Sequence, residues 1–321
     1  MNESLDDDGV LDLRVEQIRR ESDGVVSVTL VDPEGAALPA WTPGAHLDVE
    51  LPGFTRQYSL CGDPADRYTY RLAVLREEQS RGGSRYVHDT LRVGDPVEVG
   101  GPRNRFALEP AQRYLFIAGG IGITPLLPMA AAAEASGAQW SLAYGGRQRS
   151  SMAFLDVLAA YGDKITVVAE AERGPLDLDG LLGTPVPDTA VYCCGPEGLL
   201  AAVEERCASW PEGSLHLERF KAKSTAPGEF ARDREFEVVC ERAGTSLRVP
   251  AGRSVLDCVE DAGIAVNSAC RDGVCGSCET KVLAGEVEHR DSLLTASERE
   301  SGGTMMLCVS RAASDQLVLD L

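Results

Sequence analysis

A chain of 321 residues, 44% hydrophobic and 25% charged, is long enough for two or three domains with separate cores, and it contains no apolar run near the roughly 20 residues that a membrane span needs. Its formal net charge of -19 argues against nucleic acid as a partner, because phosphate contacts need clustered Lys and Arg. The acidic start, Met1 to Asp8, lacks the basic and apolar regions of an export signal, so the expected location is the cytoplasm, where thiols stay reduced and ten cysteines point away from a disulfide framework.

From Val10 to about Leu108 short runs alternate apolar and polar residues: Leu11 to Val15, Val25 to Val31, His46 to Leu51 and Tyr70 to Leu75. This period of two, broken by Gly, Pro and Asp, predicts an antiparallel β-barrel over 1–109. Within it Arg56-Gln57-Tyr58-Ser59 ends a strand, and Gly82-Gly83-Ser84 opens a predicted helix from Ser84 to Leu91. A cation beside a glycine-flanked helix N-terminus suits a phosphate ester, although either segment is equally compatible with an ordinary turn.

The pattern changes at Tyr114 to Ala118, a continuous apolar run followed by an Ala-rich stretch to Ala135. Strand signals recur at Trp140 to Tyr144, Ile165 to Ala169 and Ala190 to Cys194. Such alternation predicts an α/β domain with a parallel sheet over 110–222. Gly119-Gly120-Ile121-Gly122-Ile123-Thr124-Pro125 joins its first strand to its first helix, with Thr124 the expected N-cap and Pro125 the first helical residue. The loop lacks the G-x-G-x-x-G fingerprint, so by itself it reads as a phosphate-friendly strand-to-helix turn. Cys194-Gly195-Pro196 ends the last strand at the carboxyl edge of the sheet, where α/β folds bind ligands.

Residues 223–229 are polar, carry Pro and Gly and have no period, which predicts a linker. A small α+β domain follows over 230–321. Phe236 to Cys240 and Ser246 to Val249 flank Ala243-Gly244 as a hairpin, and Ser254 is placed to cap a helix through about Ala262. Cys270, Cys275 and Cys278 then give C-x₄-C-x₂-C with Cys308 beyond, the plant-type 2Fe–2S spacing. Three thiolates from one tight loop need Gly273 and Gly276 to bring backbone N–H groups to the sulfurs. A zinc site or unligated core cysteines are the competing readings. A Rieske centre is excluded, since none of the four histidines falls within the spacing.

The order R-Q-Y-S-L, G-G-S, G-G-I-G-I-T-P, Y-C-C-G-P and C-x₄-C-x₂-C resembles the phthalate dioxygenase reductase family, which includes the vanillate O-demethylase reductases, over nearly the whole chain. The resemblance implies a multidomain chain: an FMN-binding β-barrel, an NAD(H)-binding α/β domain and a β-grasp ferredoxin domain. It implies that Arg56, Gln57, Tyr58 and Ser59 meet the flavin, with Gly82, Gly83 and Ser84 completing its phosphate site. Gly119, Gly120, Gly122, Gly195 and Pro196 would border the NADH, Arg147 would face the adenosine ribose, and Thr124 would lie near flavin and nicotinamide. Cys194 would sit where hydride leaves, and Phe220 would cover the flavin, unless it is a simple packing residue. Cys270, Cys275, Cys278 and Cys308 would hold the cluster.

The implied activity is an NAD(P)H-dependent reductase that sends single electrons to a terminal oxygenase, Rieske-type or cytochrome P450, and works as a monomer. A redox-sensing iron–sulfur protein without turnover is the reading from a different class. Residues 230–321 hold ten Lys and Arg against sixteen Asp and Glu, which predicts an acidic face for a basic partner.

Overall fold

The computed structural model describes residues 9–80, 82–222 and 234–321, which fall into two compact units divided between Glu218 and Arg219. The expected linker 223–229 and the expected domain start at Phe230 lie outside the described residues.

Six antiparallel strands open the first unit: β1 (Val10–Ser22), β2 (Val25–Val31), β3 (Ala45–Leu51), β4 (Phe54–Ser59), β5 (Tyr70–Leu75) and β6 (Pro96–Asn104). They run in the order β4-β3-β6-β1-β2-β5, and a bridge between Leu60 and Leu72 joins the two edges, as the alternating pattern predicts for a barrel. In β1, Leu13 and Val15 point into a core with Val28, Leu47, Val49, Tyr70 and Val99, while Asp12, Arg14 and Glu16 face outward. Helix α1 (Gly83–Asp89) follows β5.

The second sheet is all parallel. It contains β7 (Arg113–Gly119), β8 (Gln139–Gly146), β9 (Ile165–Ala169), β10 (Thr189–Cys194) and β11 (Leu215–Glu218), in the order β11-β10-β7-β8-β9. Helices α2 (Ile123–Ser136), α3 (Leu155–Ala159), α4 (Glu170–Arg173), α5 (Leu178–Leu182) and α6 (Glu197–Arg206) connect these strands. Alternation along β10 sends Cys193 into one core with Ile117 and Leu200, and Cys194 into the other with Phe116 and Met129. The chain leaves β7 toward β8 and later returns to the other side of β7 as β10. The β7–β10 boundary is therefore a switch point, where the loops after both strands face one crevice.

Barrel and parallel sheet are joined within the unit. Arg71 pairs with the buried Glu21 carboxylate at 2.7 Å and lies over the Phe154 ring, and Asp23 N–H donates to the Ser150 carbonyl.

The second unit forms the expected α+β domain. Strands β12 (Phe236–Cys240), β13 (Thr245–Val249), β14 (Glu279–Ala284), β16 (Thr304–Met306) and β18 (Gln316–Leu319) pair in the order β13-β12-β18-β14-β16, with β12 and β18 parallel. β15 (Val287–Glu288) and β17 (Arg311–Ala312) form a short second ladder. Helix α7 (Val255–Asp261) is capped by Ser254 as predicted, its hydroxyl accepting from Asp257 N–H, and α8 (Ala296–Ser301) begins with a Thr295–Glu298 capping box. No helix among the described residues is long and apolar enough to cross a membrane.

Candidate functional site

The crevice at the switch point is narrow because its two walls are glycine. A Cβ on Gly122 would stand 2.2 Å from the Cys194 carbonyl oxygen, and one on Gly119 would stand 2.6 Å from Pro196 Cδ. Only hydrogen at these positions lets the loops close together. Gly120 turns through φ +55° with open space around it.

Here one expectation fails. Helix α2 starts at Ile123 with Gly122 as its N-cap, and no side chain caps it. Thr124 is already inside the first turn, buried, its hydroxyl donating to the Ile121 carbonyl at 3.0 Å. The close approach of Gly122 to Cys194 sets the helix start ahead of the residue whose side chain favours capping. The helix after Gly82 is likewise shorter than predicted, ending at Asp89.

In the barrel, Phe54 and Arg56 at the beginning of β4 face the start of α1. Gly82 adopts φ +113°, where a Cβ would strike the Phe54 ring at 2.6 Å, and a Cβ on Gly83 would lie 2.8 Å from Arg56 Cγ. Arg56, stacked over Phe54 at 4.7 Å, is thereby brought against the start of the helix. The Ser84 hydroxyl is held by Ser80 and Glu77 N–H. A cation and bare N–H groups at one glycine-lined corner fit a phosphate monoester. Burial pushes the Tyr58 phenol up to about 12, so it stays a hydrogen-bond donor. Gln57 turns away, its amide donating to Asp48 Oδ1 at 2.8 Å.

The two sheets of the first unit meet at one residue that the motifs did not single out. The Glu218 carboxylate accepts from the Ser59 hydroxyl at 3.4 Å and from the Cys194 thiol at 3.6 Å. Cys194 and Glu218 are register neighbours on β10 and β11, and Ser59 closes β4. Burial drives Glu218 up to about 8, against the opposing pull of those two hydrogen bonds. Burial, and then the nearby Glu218, hold the Cys194 thiol well above its usual range. A protonated carboxyl thus stands beside an un-ionised thiol. Sequence alone ended the last strand at Cys194 and so missed Glu218, which closes the further parallel strand β11.

In the second unit the cysteines converge in pairs. The Cys270 thiol lies beside those of Cys275 and Cys308, and the Cys278 thiol beside that of Cys308. Asp272 N–H approaches Cys270 Sγ at 3.3 Å, and Ser277 N–H approaches Cys275 Sγ at 3.4 Å. Among the described residues no three His, Cys, Asp or Glu side chains are arranged around a single metal ion. A two-iron cluster asks only two thiolates of each iron, with sulfide completing both tetrahedra, so Cys270, Cys275, Cys278 and Cys308 fit it.

Arg147 is exposed at the end of β8, its carbonyl accepting from Ala171 N–H. Phe220 is 40% exposed and follows the boundary of the first unit.

The family described as the 2Fe-2S iron-sulfur cluster binding domain matches residues 238–313. Phthalate dioxygenase reductase of Burkholderia cepacia is 40% identical over 322 residues, covering 98% of each chain. The chain belongs to the phthalate dioxygenase reductase family. This reductase is also 44% identical to the phenoxybenzoate dioxygenase subunit beta of Ectopseudomonas oleovorans, over 96% of its own length and 97% of that protein. A solved type IV self-sufficient cytochrome P450 monooxygenase contains a region with the same fold, at a TM-score of 0.91 and 42% identity. All of the present chain is covered, and it spans 43% of the monooxygenase. The reductase is therefore an oxidoreductase with a flavin-type barrel, a parallel nucleotide-type sheet and a C-terminal cluster-binding domain.

Proposed function

We infer that this reductase takes a hydride from NADH onto FMN and releases the electrons singly, through a 2Fe–2S cluster, to a Rieske-type terminal oxygenase. The observation that carries the reading is the meeting of Ser59, Cys194 and Glu218, which joins the flavin-type barrel to the switch point of the nucleotide-type sheet. When bound, the flavin accepts two electrons together and the cluster passes on one at a time, so the pair converts a hydride into single electrons.

The chain's own part is binding, orientation and proton placement. Arg56 with the backbone of Gly82, Gly83 and Ser84 holds the flavin phosphate, Tyr58 donates toward the ring system, and Gln57 braces β4 through Asp48. Gly119, Gly120, Gly122, Gly195 and Pro196 leave the dinucleotide room at the crevice, Thr124 stiffens the loop, and Arg147 serves the ribose end. Cys194 borders the nicotinamide, Glu218 keeps a proton at its carboxyl beside Cys194 Sγ, and Phe220 covers the flavin. Cys270, Cys275, Cys278 and Cys308 ligate the irons. The division at 109/110 and 222/223 follows the ends of the sheets, and the chain works as a cytoplasmic monomer.

A second reading, that the acceptor is a cytochrome P450, is favoured by the likeness to the self-sufficient monooxygenase. Anaerobic titration of the purified protein with NADH tests the common core. Flavin and cluster absorbance should bleach in sequence, with FMN, iron and labile sulfide recovered on extraction; a protein that NADH cannot bleach overturns the reading. Turnover with either oxygenase class then separates the acceptors.

A further inference from the structure

Cys275 and Cys278 are buried, whereas Cys270 and Cys308 are only half-buried. Electron transfer falls steeply with distance, so a protein acceptor docks at an edge where the ligands come nearest the surface. Beside Cys308 opens a pocket of about 390 Å³ whose wall carries Arg253, Asp257, Arg271, Arg290 and Arg311. Among the described residues four arginines and one acidic residue line this concavity, in a domain that is acidic as a whole, and Arg311 is itself buried with its guanidinium turned onto backbone carbonyls.

Each arginine is fixed by partners around it. Arg311 donates to the Arg253, Arg234 and Pro250 carbonyls and lies over the Phe236 ring at 4.9 Å. Arg290 pairs with Glu288 at 2.7 Å, Arg253 with Asp261 at 2.6 Å, and Arg271 with Glu260 at 2.6 Å and Asp257 at 3.0 Å. Of those four carboxylates only Asp257 lines the pocket. Guanidinium forks already held in place by such partners lose little side-chain entropy on binding. Arg is also enriched at the anchoring points of protein interfaces.

We propose that this arginine-lined pocket docks carboxylate side chains on the protein that takes the electron, so that the acceptor is acidic where it meets the cluster. The inference rests on the proposed function, in which the cluster delivers electrons to a separate protein. It reverses the sign expected from the domain's total charge. Contact geometry decides between them: at physiological salt the Debye length is about 8 Å, so a docked partner feels the groups lining the contact more than charges around the far side.

The test uses oxidised, full-length holoprotein, with no NADH present. Calorimetric titration compares the soluble domain of cytochrome b5, an acidic haem protein, with cytochrome c, a basic one. The native protein is expected to bind cytochrome b5 more tightly at low ionic strength. The double variant Arg253→Glu, Arg290→Glu should weaken that binding about tenfold or more without weakening cytochrome c, with Arg253→Gln, Arg290→Gln intermediate. Arg242→Glu makes the same kind of charge change beyond the opposite end of β13 and should leave both affinities within about twofold.

Native preference for cytochrome c, an equal effect at Arg242, or no effect of the double variant overturns the assignment. So does binding of inorganic phosphate that needs Arg253 and Arg290 while cytochrome b5 ignores them, which would make the pocket a small-anion site. Cluster absorbance of each variant establishes that the domain is folded. Bleaching by NADH in the same preparations keeps the two readings apart: no bleaching sinks the proposed function, whereas bleaching with indifferent arginines sinks only the docking pocket.

Discussion

Gly122 lies so close to Cys194 that a Cβ would fall 2.2 Å from the Cys194 carbonyl oxygen and 2.7 Å from Gly195 N. Backbone, not a pliable side chain, is what a methyl group would meet there. Gly122→Ala should therefore open the crevice, at a cost of about 1–3 kcal/mol in stability from overpacking. The KM for NADH should rise about tenfold while flavin and cluster absorbance persist. Urea melts and steady-state kinetics check this, and an unchanged KM would detach the loop contact from nucleotide binding.

Glu218 gives a pH signature. Its carboxyl is neutral in the native state up to about pH 8, but ionises near its ordinary value of 4.5 when the chain unfolds. The unfolded state therefore releases this proton first, and stability falls as pH rises from about 4.5 to about 8. Glu218→Gln should remove that part of the slope, read as a smaller drop in urea midpoint between pH 5 and 8 than the native protein shows. If the carboxyl supplies the proton held beside Cys194, the rate at which NADH bleaches the flavin should also decline above about pH 8 in the native protein and not in the variant.

Arg56 should matter chiefly for holding the flavin. Arg56→Ala removes a charge-assisted contact worth about 1.5–3 kcal/mol, so flavin affinity should drop about 10- to 100-fold, measured by the fluorescence of released flavin on dilution. Arg56→Lys keeps the charge but loses the planar fork and should recover only part. Equal retention in all three proteins would place the phosphate elsewhere.

Cys275→Ser separates the two units' roles. Cys275 is one of the buried thiols in the cluster loop, and its loss should abolish most NADH-to-cytochrome c reduction while NADH-to-ferricyanide activity remains. Parallel loss of both activities would mean that the cluster is needed for folding as well as for relaying charge.

Much of the architecture was legible because it is local. The runs Val25–Val31, Tyr70–Leu75 and Ile165–Ala169 are strands at the residues where their apolar pattern placed them, and Ser254 caps α7 as its side chain favours. The cysteine spacing pointed to the cluster-binding domain that the family match covers over residues 238–313, since four thiols at fixed intervals leave few geometries. Thr124 misled because capping propensity describes an isolated helix end. Here α2 begins earlier, where Gly122 packs against the neighbouring strand's end.

By itself the sequence determined the strand and helix periods, the three kinds of layer and the C-x₄-C-x₂-C quartet, all properties of residues near one another along the chain. Tertiary structure alone decided that Glu218 reaches Cys194 and Ser59, 24 and 159 residues away, because the parallel register of β10 and β11 and the packing of barrel on sheet bring them together. It also decided the charge beside the cluster. Arg253, Arg271, Arg290 and Arg311 are scattered among more numerous acids in sequence, and only folding gathers them around Cys308, a grouping that the domain's net charge does not reveal.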